Sequence, residues 1–177
     1  MKPVLTLIGA LVLAAAPAAA ADLSIRAFYG TFSGGAGAED ADSVYFATTA
    51  RDADVVIEPA GDGFSITWTS VIRGGGVPGD PDVRRKSTTR RFVPGKRPGM
   101  WRASGSADPI DGGELGWARI EGSSLIVYLM VIDAKGLYQI QRYERALSGL
   151  GMALTFTRVR DGEQVRTAEG RLVKTAE

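Results

Sequence analysis

The chain has 177 residues, 45% of them apolar, and sets 21 Lys and Arg against 20 Asp and Glu. It contains no histidine and no cysteine. That excludes serine–histidine and cysteine–histidine catalysis, zinc sites built on imidazole or thiolate, disulfides and a histidine pH switch, while the near-neutral balance argues against a general nucleic-acid binder.

Met1 to Ala21 reads as a secretory signal peptide. Lys2 gives a positive start, Val4 to Ala16 an apolar run, and Pro17 with Ala18 to Ala21 a small-residue cut site. The run is about 13 residues, short of the ~20 that a bilayer-spanning helix needs. The expectation is cleavage after Ala20 or Ala21, leaving residues 22–177 as one exported domain that does not span a membrane. The periplasm is the preferred destination, with secretion as the alternative. Cleavage takes Lys2 and no acid, so 20 acids face as many bases. A domain of this size buries ~70% of its unfolded surface. Without disulfides, core burial alone must hold it together.

Beyond the signal the pattern is strands separated by glycine turns. Ile25 to Ser33 reads as a first strand ending at Gly34 and Gly35. Val44 to Thr49 and Val55 to Glu58 are short strand candidates, and the Ala- and Asp-rich segment between them suits a helical turn as well. In Phe64 to Arg73, Phe64, Ile66, Trp68 and Ile72 fall on one face and Ser65, Thr67, Thr69 and Arg73 on the other. Such alternation marks a half-buried strand. Gly74 to Pro81 is a loop, Val83 to Val93 a polar strand and Met100 to Ser104 a short one. Leu115 to Glu121, Leu125 to Ile132, Leu137 to Arg145, Met152 to Arg160 and Glu163 to Val173 complete the series. Asp161–Gly162 is a hairpin turn signal, because glycine accepts the positive φ that a primed turn requires.

Eight to ten antiparallel strands with short connections favour an all-β, up-and-down barrel, since sequential neighbours pair and closure removes exposed edges. A two-sheet sandwich is the alternative. The apolar run Leu125 to Ile132 demands cover on both faces. Either the chain itself supplies it, or a homodimer contact uses Tyr128, Met130 and Ile132.

Phe28-Tyr29-Gly30-Thr31-Phe32-Ser33-Gly34 resembles the Gly-x-aromatic opening of calycin-type barrels, the lipocalins and avidins. The resemblance implies a closed barrel whose floor is sealed by a first-strand aromatic. Phe32 stands where those families place tryptophan, and the lipocalin C-terminal helix is missing. The resemblance concerns architecture and carries over no ligand residues.

The strongest local charge bias is Arg84, Arg85, Lys86, Arg90, Arg91, Lys96, Arg97 and Arg102, with no acid from Val83 to Ala103. Arginine's planar fork suits phosphate or carboxylate. The same charges also blunt a sheet edge, or offset the acids of the N-terminal third. Three acid groupings, around Glu39, Asp80 and Asp108, include the Asp108–Asp111–Glu114 set with its two glycines. None has EF-hand spacing, and Asp and Gly are ordinary turn formers. No metal, no cofactor and no catalytic activity is expected.

The aromatics remain. Phe64, Ile66, Trp68, Trp117, Tyr138 and Phe156, with Arg84, Arg85, Arg90 and Arg91 at the mouth, are the candidate ligand residues. Inward side chains of a small barrel either line a cavity or fill it. The expected role is binding of a small apolar or amphipathic anionic molecule. The alternatives are a filled barrel docking to an envelope surface or protein, and a carboxylate-based hydrolase.

Overall fold

The computed structural model describes residues 21–40, 49–73 and 83–176. The signal segment, most of the Val44 to Thr49 candidate and the loop Gly74 to Pro81 lie outside the described residues. Ten strands close into one antiparallel ring: β1 (Gly30–Asp40), β2 (Thr49–Ala60), β3 (Gly63–Arg73), β4 (Val83–Pro94), β5 (Met100–Ala103), β6 (Leu115–Glu121), β7 (Ser124–Ile132), β8 (Tyr138–Ser148), β9 (Gly151–Arg160) and β10 (Glu163–Ala176). Every strand pairs with its sequence neighbours, and β1 pairs with β10 to shut the ring. The expected up-and-down barrel is therefore the observed fold, and the sandwich is not.

The N-terminal segment departs from expectation. Ile25–Phe28 forms one turn of 3-10 helix instead of the start of a strand. Phe28 is fully buried and caps one end of the barrel. This segment is tied to the β6–β7 turn, where Leu23 N–H donates to the Gly122 carbonyl at 2.9 Å and Gly122 N–H donates to Asp22 Oδ1 at 2.6 Å.

β1 then runs straight through Gly34–Gly35, which the sequence suggested as a stop. A Cβ on Gly34 would lie 2.1 Å from the Arg171 carbonyl oxygen of β10. Glycine is there for close strand approach, not for a turn. The Ala- and Asp-rich segment 50–54 is extended rather than helical, because β1 pairs it on one side and β3 continues the ladder on the other. Pairing on both edges overrides a weak local preference. The β9–β10 turn matches expectation, with φ 47° at Asp161 and φ 89° at Gly162.

The core sits at the end closed by Phe28, here called the floor. Phe32, Ile57, Phe64, Ile66, Phe92, Leu125, Val127 and Met152 are each 2% exposed or less. Phe64 stacks on Phe92 with ring centroids 5.0 Å apart and meets Trp101 edge-on at 5.4 Å. Offset and edge-to-face ring pairs add stability beyond their buried area.

The wall is thinnest at β5. It shares three register pairs with β4 and three with β6, where β8 and β9 share ten. Beyond it, the 104–114 loop folds back on β6. Gly116 N–H donates to Ser106 Oγ at 2.9 Å, and the Ser106 hydroxyl donates to the Gly116 carbonyl at 3.1 Å.

Candidate functional site

Above the floor, the same period-two alternation places arginines where apolar side chains would be expected. Arg90 shares the inward parity of Phe92 on β4, Arg145 that of Tyr143 and Leu147 on β8, and Arg158 that of Phe156 on β9.

Arg145 is the most unusual of them. It is 2% exposed, and its Nε and Nη1 make no hydrogen bond. Its guanidinium carbon lies 5.6 Å from the Trp68 ring centroid and 5.7 Å from that of Tyr143, and the two rings are 5.6 Å apart. The cation therefore rests on an aromatic corner instead of a carboxylate. Cation–π contact offsets part of the desolvation cost but leaves the N–H groups without acceptors. Burial pulls the Arg145 pKa down to about 10, with the Tyr143 hydroxyl opposing. Arg145 is still charged at neutral pH.

Tyr143 continues the cluster. Its hydroxyl donates to Gln141 Oε1 at 2.8 Å, and its ring is 4.8 Å from Phe156. Burial pushes the phenol up from its ordinary value, against the charges of Arg145, Arg158 and Arg90. The Arg158 guanidinium carbon sits 5.9 Å from the Phe156 ring, and its buried Nε has no partner. Arg90 pairs through Nη1 with Glu114, while its Nε is also buried and unpartnered. That ion pair spans from β4 to the 104–114 loop at the level where β5 has ended.

A cavity of about 130 Å³ opens beside this corner, lined by Val55, Trp68, Tyr143, Arg145, Leu154 and Phe156 among others. Glu144 and Glu169 reach its margin from outward positions on β8 and β10. The Glu144 carboxylate is already engaged outside, by Ser124 at 2.9 Å and Arg142 at 2.7 Å. Burial works against its ionisation. The Ser124 and Arg142 hydrogen bonds and the Arg142 charge outweigh that and hold Glu144 below the usual carboxylate range. A larger concavity of about 500 Å³ lies at the floor end, but it is open and lined by exposed Leu150 and Val173 with no buried charge.

The sequence-nominated residues divide. Trp68 and Phe156 line the cavity, and Arg90 points inward near it. Phe64 and Ile66 are fully buried and fill the core below. Trp117 takes the outward parity of β6 and stacks on Tyr128 at 4.9 Å, and Tyr138 takes the outward parity of β8. Arg85 and Arg91 are exposed, and Arg91 Nη2 donates to the Ala60 carbonyl at 3.3 Å. The Arg84 side chain lies outside those described.

Sequence reasoning missed Arg145, Tyr143 and Arg158, and weighed Glu114 only as part of an acid grouping, not as the partner of Arg90. The dense basic run on β4 drew attention away from single arginines in β8 and β9. The available signal was parity: Tyr143, Arg145 and Leu147 continue one face of a strand, and a charge interrupts it.

Within Leu125 to Ile132 the first half is buried by its own chain, while the outward Tyr128, Met130 and Ile132 are part-buried. Leu125, Val127 and Leu129 face the core. Outward-facing Ile126 is 1% exposed, with Arg119 and Glu144 beside it in register. The Arg119–Glu121 and Arg142–Glu144 ion pairs lie along that outer face. Among the described residues no group of three or more acids is arranged to hold a metal ion. Asp108 instead organises its turn, accepting from Ile110 N–H at 2.9 Å.

No family model matches the chain, and no curated protein matches it either.

Proposed function

We propose that this chain is an exported, non-enzymatic β-barrel of calycin-like architecture that binds a small anionic molecule in its interior beyond the phenylalanine floor. The observation that carries the reading is Arg145. A buried, charged guanidinium with two unpartnered nitrogens on the wall of a cavity is costly without an acceptor. An anion supplies that acceptor, and a charge-assisted hydrogen bond is about twice as strong as a neutral one. The aromatic corner holds the cation in place before a ligand arrives, so little ordering remains to be done on binding.

The cavity's small size and the filled floor favour a second reading, a solid barrel that acts through its surface at the cell envelope. Thermal melts separate the two. Sodium benzoate, sodium octanoate and sodium phosphate are added at constant ionic strength to wild type and to Arg145→Met. Under the binding reading at least one anion raises the wild-type Tm and none raises that of the variant. No shift with any of the three sinks it and leaves the surface reading.

A further inference from the structure

Resting on that reading, we propose that the ligand is a small planar aromatic monocarboxylate, of benzoate size and charge. Three observations narrow the class. The first is volume. At about 130 Å³ the cavity is below the ~300 Å³ of a typical drug-sized pocket. It is close to the ~150 Å³ of an engineered apolar cavity that takes up benzene. A long acyl chain or a phospholipid does not fit it.

The second is the lining. The Trp68 and Tyr143 rings are tilted 35° to each other, and those of Tyr143 and Phe156 are tilted 43°. With Val55 and Leu154 they give an apolar slot whose ring faces and edges suit a flat aromatic guest. An aliphatic guest of equal volume would gain the burial but not the ring contacts.

The third is charge. Arg145, which contributes to the cavity lining, carries one buried positive charge and two nitrogens without hydrogen-bond partners. A carboxylate matches the planar guanidinium and cancels that charge. A dianion such as hydrogen phosphate would leave a net negative charge in a low-dielectric site, with Glu144 and Glu169 at the margin. The inward arginine next along the aromatic cluster, Arg158, lies beyond Phe156 and outside the cavity lining.

Isothermal titration of the purified protein with benzoate, octanoate, benzyl alcohol and inorganic phosphate tests the inference. Benzoate is expected to bind one to one and at least about tenfold more tightly than each of the other three, a gap of ~1.4 kcal/mol. Arg145→Gln should weaken benzoate at least about tenfold and leave benzyl alcohol unchanged, with circular dichroism confirming the fold. Leu154→Phe, which fills the slot while keeping Arg145, should exclude benzoate. Octanoate or phosphate binding as tightly as benzoate overturns the aromatic monocarboxylate class and leaves interior anion binding standing. Absence of binding by all three anions overturns both.

Discussion

At the floor, Phe28, Phe32, Phe64 and Phe92 are buried to the last few square ångströms, and their neighbours are rings and aliphatic side chains. A few residues higher, Arg145 is buried almost as completely, and its neighbours are two rings that cannot accept its N–H groups in the ordinary way. One region turns burial into stability. The other holds a charge against burial, at a cost to the free protein. A barrel selected only for stability has no reason to carry the second region, and that contrast is the best pointer to where this molecule does its work.

Substitutions test the contrast. The largest effect belongs to the floor. Phe64→Ala removes a stacked and an edge-on ring contact and leaves a void. It should destabilise the barrel by about 3–5 kcal/mol in urea unfolding. Beyond the floor the sign reverses. Arg145→Met keeps length, discards the buried charge and should stabilise the protein by about 1–3 kcal/mol at pH 7. A Tm rise of a few degrees would report it, and a loss of stability would show that the guanidinium has acceptors after all.

The pH dependence of that gain follows from the lowered Arg145 pKa. The folded state holds the proton less tightly than the unfolded chain does. The penalty is thus fully present below about pH 10 and fades as pH rises from 10 toward the ordinary arginine value. The advantage of Arg145→Met should shrink over that range in paired urea melts. Tyr143 runs the other way in wild type. Its raised pKa supplies stability present below its ordinary value and lost as pH rises through the folded one. Making the comparison in a Tyr143→Phe background removes this opposing slope.

The smallest effect lies on the outer wall. Glu144→Gln weakens a half-exposed ion pair with Arg142 and should cost no more than about 0.5 kcal/mol at pH 7. Because the Glu144 pKa is lowered, this contribution is present above the usual carboxylate value. It is lost as pH falls through the folded one. Wild type and variant should therefore converge in acid.

Much of the architecture could be read from residue order, because period-two alternation and short glycine turns leave few choices for β3 and for β6 to β10. The first strand was harder. Gly34–Gly35 looks like a turn in isolation, and only the approach of β10 reveals why glycine is needed. The site was less legible still. Trp68 and Phe156 are visible as inward aromatics, but their meeting with Tyr143 and Arg145 depends on barrel closure, which no local pattern encodes. Nor does a run of arginines disclose which member faces in. Arg90 and Arg91 are adjacent in the chain, yet one pairs with Glu114 at the barrel interior and the other reaches the Ala60 carbonyl outside.

The brevity of β5 has a consequence for local opening. A closed hoop is hard to part anywhere, since each gap breaks many hydrogen bonds at once, but here three register pairs on either side are all that must yield. The Arg90–Glu114 ion pair spans the wall just beyond the end of β5. Amide protons around Trp101 should accordingly exchange with solvent well before those of β9.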